Sequence, residues 1–236
     1  MIVERSEHPS WLSNAYLVAD RPGGHGVLID GNGLPEPLLQ RVAADGITIT
    51  HVLVTHAHAD HVLGVERLAA GFGVPLLAFP ELGDGQVVVS GDLHIHALHT
   101  PGHCPDHLAL SVNGSDVFTA DALFRGTVGG TLNGGADGFA QLRSSIMDRL
   151  MTLDHGARVH PGHTLPTSIG EEWEHNPFIR VWRGLDGEGD EPCRVRDRSA
   201  RLVLWAPDYD GTHKAWVRFD DGADAIVGGS QVTRHA

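Results

Sequence analysis

The chain has 236 residues, 41% of them hydrophobic, which is typical of one globular domain with or without a small appendage. Its formal net charge of −13 argues against nucleic acid as the main partner, and no run approaches the roughly 18 apolar residues of a membrane span. The charged segment Met1–Ser10 does not resemble a signal peptide. Cys104 and Cys193 are too few for a disulfide framework, so we expect a cytoplasmic protein without a membrane partner.

Strands and helices alternate in the first part of the chain. Predicted strands cover residues 15–19, 26–30 and 49–54, and a predicted helix covers residues 37–44. The third strand is apolar and β-branched, a composition typical of a buried parallel strand. Residues 55–61 follow it directly, and a helical pattern begins at Val62. Residues 55–61 therefore lie where a strand ends and a helix begins, the place where open α/β sheets bind ligands.

Three histidines and a carboxylate lie within six positions of this segment: His56, His58, Asp60 and His61. Imidazole nitrogens and carboxylate oxygens are ligands that zinc and similar metals prefer. Two histidines spaced two residues apart at a strand end can direct their ring nitrogens at one ion. Asp60 and His61, in the first helical turn, are placed to face a second ion beside it. We therefore predict a metal site here and not a chance cluster.

The dipeptide Asn113-Gly114 predicts a β-hairpin between residues 108–112 and 115–120. A two-residue turn would pair positions whose numbers sum to 227 and would place Asp121 opposite Asp106. The hairpin is therefore expected to bring Asp121 close to His103, another potential ligand.

The next elements are an amphipathic helix over residues 139–153 and a short strand over 158–160 that leads into Pro161-Gly162-His163. Ser168 and Glu171 resemble a capping box that opens a further helix. Histidines outside the motifs are expected to be exposed or capping residues: His25, His51, His155, His160, His175, His213 and His235.

The composition changes near Gly184. Residues 184–192 are acidic and rich in glycine, and we predict a linker there. Three β-like runs follow, over residues 201–206, 214–219 and 223–227. We therefore predict a catalytic domain over residues 1–183 and a small β-rich module over 193–236. This module is either a small barrel or a β-appendage packed on the main domain.

Four short motifs, taken in order, resemble those of the metallo-β-lactamase superfamily across residues 10–180. They are His56-x-His58-x-Asp60-His61, Thr100-Pro101-Gly102-His103, Thr119-Ala120-Asp121 and Pro161-Gly162-His163. The resemblance implies an α/β fold, the αββα sandwich, that holds two metal ions at one edge. The C-terminal β module would be added to that sandwich.

The resemblance also implies a division of the ligands between the two ions. The first ion would be bound by His56, His58 and His103, and the second by Asp60, His61 and His163. Asp121 would bridge the two ions. Three histidines leave one tetrahedral position open for water, as a catalytic zinc site requires. The implied cofactors are two zinc ions, with iron or manganese as alternatives.

Within the superfamily, two stretches are similar to type II glyoxalases, particularly their shorter bacterial relatives: residues 121–126 and residues 163–171, with Asn176-Pro177-Phe178 after them. These enzymes hydrolyse S-lactoylglutathione, a thioester of glutathione. The similarity implies a thioesterase in which a metal-bound hydroxide attacks the carbonyl carbon and Asp60 orients the hydroxide. The substrate would be a small-molecule thioester or ester.

Three alternatives stay open. Persulfide dioxygenases, which use a single iron, resemble the chain at His56, His58, His103 and Asp121. Lactone hydrolases share the bridging aspartate, and a regulatory or binding protein with a secondary metal site is the third alternative. Full-length glyoxalases bind glutathione through a basic helical C-terminal domain. The tail here is acidic and β-rich, so we expect weak binding of S-lactoylglutathione.

Two further residues are expected to support the ligands rather than bind metal. Asp30 belongs to an Asp-Gly turn that resembles one near the metal edge of this family. His107 corresponds to a histidine often found in the superfamily, where it would orient a ligand.

Overall fold

The computed structural model describes residues 1–234 of the chain. Its first part contains β1 (Ile2–Glu7), β2 (Asn14–Ala19), β3 (His25–Ile29), β4 (Gly31–Asn32), α1 (Glu36–Asp45), β5 (Thr48–Leu53), α2 (Ala59–Val62), α3 (Val65–Phe72) and β6 (Leu76–Leu77). Five of these strands form one sheet in the order β1-β2-β3-β5-β6. Strand β5 is parallel to both of its neighbours, as its apolar sequence predicts.

The second part of the chain contains β7 (Val87–Ser90), β8 (Leu93–His99), β9 (Leu108–Val112), β10 (Asp116–Ala120), β11 (Leu123–Phe124), β12 (Thr127–Val128), α4 (Gly138–Ser144), β13 (Arg158–Pro161), β14 (Thr167–Ser168), α5 (Ile169–His175) and α6 (Pro177–Trp182). Six of these strands form a second sheet in the order β14-β13-β10-β9-β8-β7. Strands β11 and β12 form a separate hairpin. The predicted helix over 139–153 is α4, continued by a π-helical turn (Ser145–Arg149) and a 3-10 turn (Leu150–Thr152).

The two sheets face each other across a shared apolar core. Ile29 and Leu53 of the first sheet pack there with Leu110 and Phe118 of the second. The outer face of the first sheet is covered by α1 and α3, and the outer face of the second by α4, α5 and α6. This order of layers is the αββα sandwich that the resemblance of the four motifs implies.

The hairpin between β9 and β10 differs from its predicted register. Val112 pairs with Asp116 and Leu110 with Phe118, so the position numbers sum to 228. The prediction of a two-residue turn is therefore wrong, because the loop has three residues. Asn113 and Gly114 in this loop both adopt positive φ, at 51° and 69°. The extra loop residue shifts the pairing by one position.

His160 is buried, and the prediction that it is exposed is wrong. It lies in β13, an interior strand between β10 and β14, and its Nε2 is 2.8 Å from Oδ1 of the buried Asp116. Its ring stacks on Phe118 at 4.6 Å between centroids. His235 lies outside the described residues.

The C-terminal segment contains β15 (Glu191–Val195), β16 (Arg198–Pro207), β17 (His213–Phe219), β18 (Asp224–Gly228) and β19 (Val232–Arg234). These five strands form an antiparallel sheet in the order β18-β17-β16-β15-β19. Only three strands are predicted from the sequence, and β15 begins inside the predicted linker. The domain ranges themselves stay a prediction.

The C-terminal sheet packs on the sandwich. Val217 and Phe219 belong to an apolar cluster of the sheet itself. Trp216 and Ile226 instead belong to the cluster that contains Leu142 of α4. The sheet is therefore an appendage packed on the main domain. None of the helices within residues 1–234 is long and apolar enough to cross a membrane.

Candidate metal centre

The seven predicted metal ligands meet at one edge of the sandwich. They come from five places: His56 and His58 after β5, Asp60 and His61 in α2, His103 between β8 and β9, Asp121 after β10, and His163 after β13. They form two groups of donors, one with His56, His58, His103 and Asp121 and the other with Asp60, His61 and His163. Within each group the donor atoms lie within 4.8 Å of one another.

The donor atoms of the first group converge on one point. Nδ1 of His58 lies 3.1 Å from Nε2 of His56 and 2.9 Å from Nε2 of His103. A tetrahedral zinc ion with Zn–N bonds of ~2.0–2.1 Å separates its ligand nitrogens by roughly 3.3 Å. Nδ1 of His58 is therefore spaced from the other two nitrogens nearly as zinc ligands are from one another.

Asp121 lies between the two groups. Its Oδ2 is 3.5 Å from Nε2 of His103 and 3.4 Å from Nε2 of His163, and its Oδ1 is 3.3 Å from Nε2 of His61. Asp60 completes the second group, with Oδ2 3.6 Å from Nε2 of His163. One carboxylate thus faces donors of both groups, as a bridging ligand must.

Orphaned polar atoms show what the site is suited to bind. Nε2 of His61 and Oδ1 of Asp121 are buried and have no hydrogen-bond partner among the described residues. A buried polar atom without a partner is costly, and a cation between these two atoms would satisfy both. Imidazole and carboxylate donors suit zinc, iron and manganese, so the residues fit divalent metal ions.

The electrostatics of the site favour a cation. Burial lowers the pKa of His56 well below its usual value, so its ring is neutral and has a free lone pair. Burial alone would raise the pKa of Asp121, but His163 and His61 outweigh it and lower that pKa well below its usual value. Asp121 is therefore an anion buried among imidazoles.

Two glycines let the backbone approach these ligands. A Cβ at Gly162 would overlap the carboxylate of Asp121 and crowd the ring of His61. A Cβ at Gly129 would overlap the carbonyl oxygen of Asp121. The glycine of the Pro161-Gly162-His163 motif is thus required by the close approach of β13 to the site.

Asp30 holds His61 in one orientation. Its Oδ2 lies 3.0 Å from Nδ1 of His61, and its carboxylate also accepts hydrogen bonds from the backbone N–H and the hydroxyl of Thr55. Burial alone would lower the pKa of His61, but Asp121 and Asp30 outweigh it and raise that pKa well above its usual value. Because Nδ1 donates to Asp30, Nε2 is the nitrogen that would exchange its proton for a metal ion. Similarly, Nδ1 of His103 lies 2.9 Å from the carbonyl oxygen of Gly130. The expected supporting position of Asp30 matches this geometry.

His107 fixes the backbone of the bridging ligand. Its Nε2 accepts a hydrogen bond from the backbone N–H of Asp121 at 3.1 Å, and its Nδ1 lies 2.8 Å from the hydroxyl of Thr100. Burial lowers the pKa of His107 to about 3, so the ring is neutral and accepts at Nε2. His107 thus orients a ligand, as expected for it.

A residue of the C-terminal sheet also reaches the site, and sequence reasoning missed it. Tyr209, in the loop between β16 and β17, stacks on the ring of His163 with 4.5 Å between centroids and 15° between planes. Phe124 contacts the same two rings. The adjacent Asp208 pairs with the buried Lys214 at 3.0 Å. Tyr209 belongs to no motif, and only the packing of the whole sheet brings it here.

The sequence of residues 9–84 matches the family described as the metallo-beta-lactamase superfamily. Among known proteins, the hydroxyacylglutathione hydrolase GloC of Haemophilus influenzae is 29% identical over 183 residues. That match spans 64% of this chain and 86% of GloC.

Two solved structures are similar throughout the sandwich. ETHE1 from Myxococcus xanthus is 32% identical with a TM-score of 0.69, and the match covers 79% of this chain and 92% of that chain. TTHA1623, solved in a di-iron-bound form, is 33% identical with a TM-score of 0.64, and the match covers 75% of this chain and 100% of that chain. With its four motifs gathered at one edge of an αββα sandwich, this chain belongs to the metallo-β-lactamase superfamily.

Proposed function

We propose that the protein is a dinuclear metal-dependent hydrolase that acts on small thioesters. The observation that carries the proposal is the position of Asp121 between two complete donor groups, within 3.3–3.5 Å of ligand nitrogens from each. His56, His58 and His103 would hold one ion, and Asp60, His61 and His163 the other. Two zinc ions are the proposed cofactors, and the di-iron form of TTHA1623 keeps iron as the alternative.

When bound, such ions polarise a carbonyl oxygen and lower the pKa of a water molecule toward neutrality. We assign Asp60 the task of orienting that water, because its side chain is 26% exposed whereas that of Asp121 is 9% exposed. A thiolate is a stable leaving group near neutral pH, so the reaction needs no strong acid from the chain. These features support a thioester substrate.

The relatives support the same reaction class. The resemblance of residues 121–126 and 163–171 to type II glyoxalases agrees with the 29% identity to GloC, which is named for hydrolysis of hydroxyacylglutathione. Cys104 and Cys193 are both free thiols, which supports our proposal of a cytoplasmic location.

A mononuclear iron dioxygenase of persulfides is the second candidate. Its ligands would be drawn from His56, His58, His103 and Asp121, which form one of the two donor groups. The second donor group has no role in that reaction, and its assembly around Asp121 favours the hydrolase.

Metal quantitation combined with a substrate panel tests the proposal. Plasma emission spectrometry of the purified protein should give two ions per chain, and the same sample should hydrolyse at least one thioester. Reconstitution with zinc, iron or manganese after chelation identifies the metal that supports turnover. A single iron per chain, with oxygen consumption on a persulfide and no thioester hydrolysis, would establish the second candidate instead.

A further inference from the structure

A cleft beside His103 separates the sandwich from the C-terminal sheet. Its volume is about 200 Å³. The sandwich lines it with the candidate ligand His103 and with Asn133, and the C-terminal segment lines it with Arg196 and Gln231. A molecule bound in this cleft would thus touch both a metal ligand and the C-terminal sheet.

The cleft is suited to an anion. Within the described part of the chain no carboxylate lines it, and Arg196 is the one arginine or lysine that does. Four other arginines of the C-terminal sheet are paired with carboxylates: Arg198 with Asp221, Arg201 with Asp190, Arg218 with Asp224 and Arg234 with Glu191. Arg194 instead donates to the backbone carbonyl of Asp197. Within residues 1–234, the guanidinium of Arg196 has no such partner and is free to bind a ligand.

The backbone of Arg196 fixes the point from which its side chain extends. Arg196 lies in the turn between β15 and β16 with a φ of 54°. Residues with a Cβ pay a steric penalty in this left-handed region, where glycine and asparagine are favoured. Val195 pairs with Arg198, so Arg196 is the first residue of a two-residue hairpin turn, a position that requires a positive φ. This turn places Arg196 at the edge of the cleft.

We propose that Arg196 binds a carboxylate of the substrate, so that the C-terminal sheet selects small thioesters whose thiol carries one carboxylate. The inference rests on the proposed hydrolase function. One guanidinium matches one carboxylate through two parallel N–H···O bonds. A volume of about 200 Å³ is also below the ~300–1,000 Å³ of sites for drug-sized ligands. The cleft therefore suits a small acidic thiol better than glutathione, which carries two carboxylates.

Binding of two matched thiols tests this inference without turnover. The probes are 3-mercaptopropionate and its neutral amide, 3-mercaptopropanamide, titrated calorimetrically into the metal-loaded protein. Because the thiol is common to both, only the carboxylate distinguishes them. We expect the wild type to bind the acid about tenfold or more tightly than the amide, as a charge-assisted pair gives.

Arg196→Asn removes the guanidinium with a residue that tolerates positive φ, so the turn is retained. We expect this variant to lose the preference for the acid. Arg201→Gln is the matched control, because it removes one positive charge from the same sheet at a side chain that faces Asp190. It should keep the preference. An unchanged preference in Arg196→Asn, or no preference in the wild type, would overturn the inference.

Hydrolysis of the lactoyl thioesters of both thiols separates this inference from the proposed function. We expect Arg196→Asn to raise KM for the acidic thioester about tenfold and to leave kcat and the neutral thioester unchanged. If neither thioester is hydrolysed but binding of the acid depends on Arg196, the carboxylate site stands and the thioesterase proposal fails. If both are hydrolysed equally by wild type and variant, the hydrolase stands and the carboxylate site fails.

Discussion

The C-terminal sheet reaches the metal centre at two places that differ in character. At His163 the ring of Tyr209 lies flat against the imidazole at 4.5 Å, and Phe124 packs beside both. At His103 the side chains leave a cleft of about 200 Å³ with Arg196 at its edge. We call these the closed flank and the open flank.

The difference between the flanks indicates that they have different roles in the site. Aromatic rings exclude water from the closed flank, which strengthens the electrostatic interactions of the ligands there. The open flank has space for a ligand, and its polar side chains can recognise one. One sheet contributes residues to both flanks, so the site lies at the interface between the sandwich and the C-terminal sheet.

Asp121 is the candidate ligand that both flanks share, so its loss should have the largest effect. We expect Asp121→Ala to lose both bound ions and to reduce hydrolysis by more than a thousandfold, because the one carboxylate that faces donors of both groups is removed. His58→Ala should remove a ligand of the open flank alone and leave one ion per chain. Metal content by plasma emission spectrometry and thioester hydrolysis measure both effects.

His96→Ala is the control for these ligand variants. His96 is an exposed histidine of β8 that belongs to neither donor group. It should keep full metal content and activity. Full metal content in Asp121→Ala would exclude the bridging role of that carboxylate, and equal losses in Asp121→Ala and His58→Ala would show that the two ions bind as a unit.

Trp216→Ala should loosen both flanks together. Trp216 is buried in the cluster that the sheet shares with the sandwich, and such truncations cost about 3–5 kcal/mol. Val217 is equally buried but belongs to the sheet's own cluster, so Val217→Ala should destabilise less and leave the flanks in place. Urea denaturation gives the free energies of unfolding. Two separate unfolding transitions in the wild type would show that the sandwich and the C-terminal sheet unfold independently, which would contradict this prediction.

The meeting of the seven candidate ligands could be predicted from the sequence because each belongs to a short motif near a strand end. His56 and His58 follow a strand whose apolar composition marks it as buried, and Pro161-Gly162-His163 carries a glycine that packing demands. The order of the motifs also indicates the fold. At these positions the local sequence pattern reflects the geometry of the site, so distant contacts are not needed for the prediction.

Other features depend on contacts that local patterns do not encode. Tyr209 and Arg196 reach the site because Trp216 and Ile226 dock the sheet on the sandwich. Strand β13 has only four residues, too few for an alternation that would show the burial of His160. These features follow from tertiary packing, which the sequence does not display at any single position.

Asp30→Asn should weaken the closed flank selectively. Asparagine keeps the shape of Asp30 and tolerates its φ of 60°, but it cannot offer an anionic acceptor to Nδ1 of His61. Loss of such a supporting carboxylate typically lowers metal affinity by about 10–100-fold. Competition with a chelator should show this decrease for one of the two ions. A decrease for both would mean that Asp30 supports the whole centre.

Tyr209 should have the smallest effect, and it tests the division between the flanks most directly. Tyr209→Ala removes the ring that covers His163, so water gains access and one ion should dissociate about tenfold faster, whereas Tyr209→Phe keeps the stacked ring and should stay within about threefold of wild type. Neither variant should change the preference for 3-mercaptopropionate over its amide, because that preference belongs to the open flank. Stopped-flow transfer of the metal to a chromogenic chelator measures metal release, and calorimetry measures the preference.

A Tyr209→Ala variant that releases metal normally but loses the preference would reverse the roles assigned to the flanks. If Tyr209→Phe matches Tyr209→Ala in metal release, the hydroxyl and not the ring is the group that protects His163.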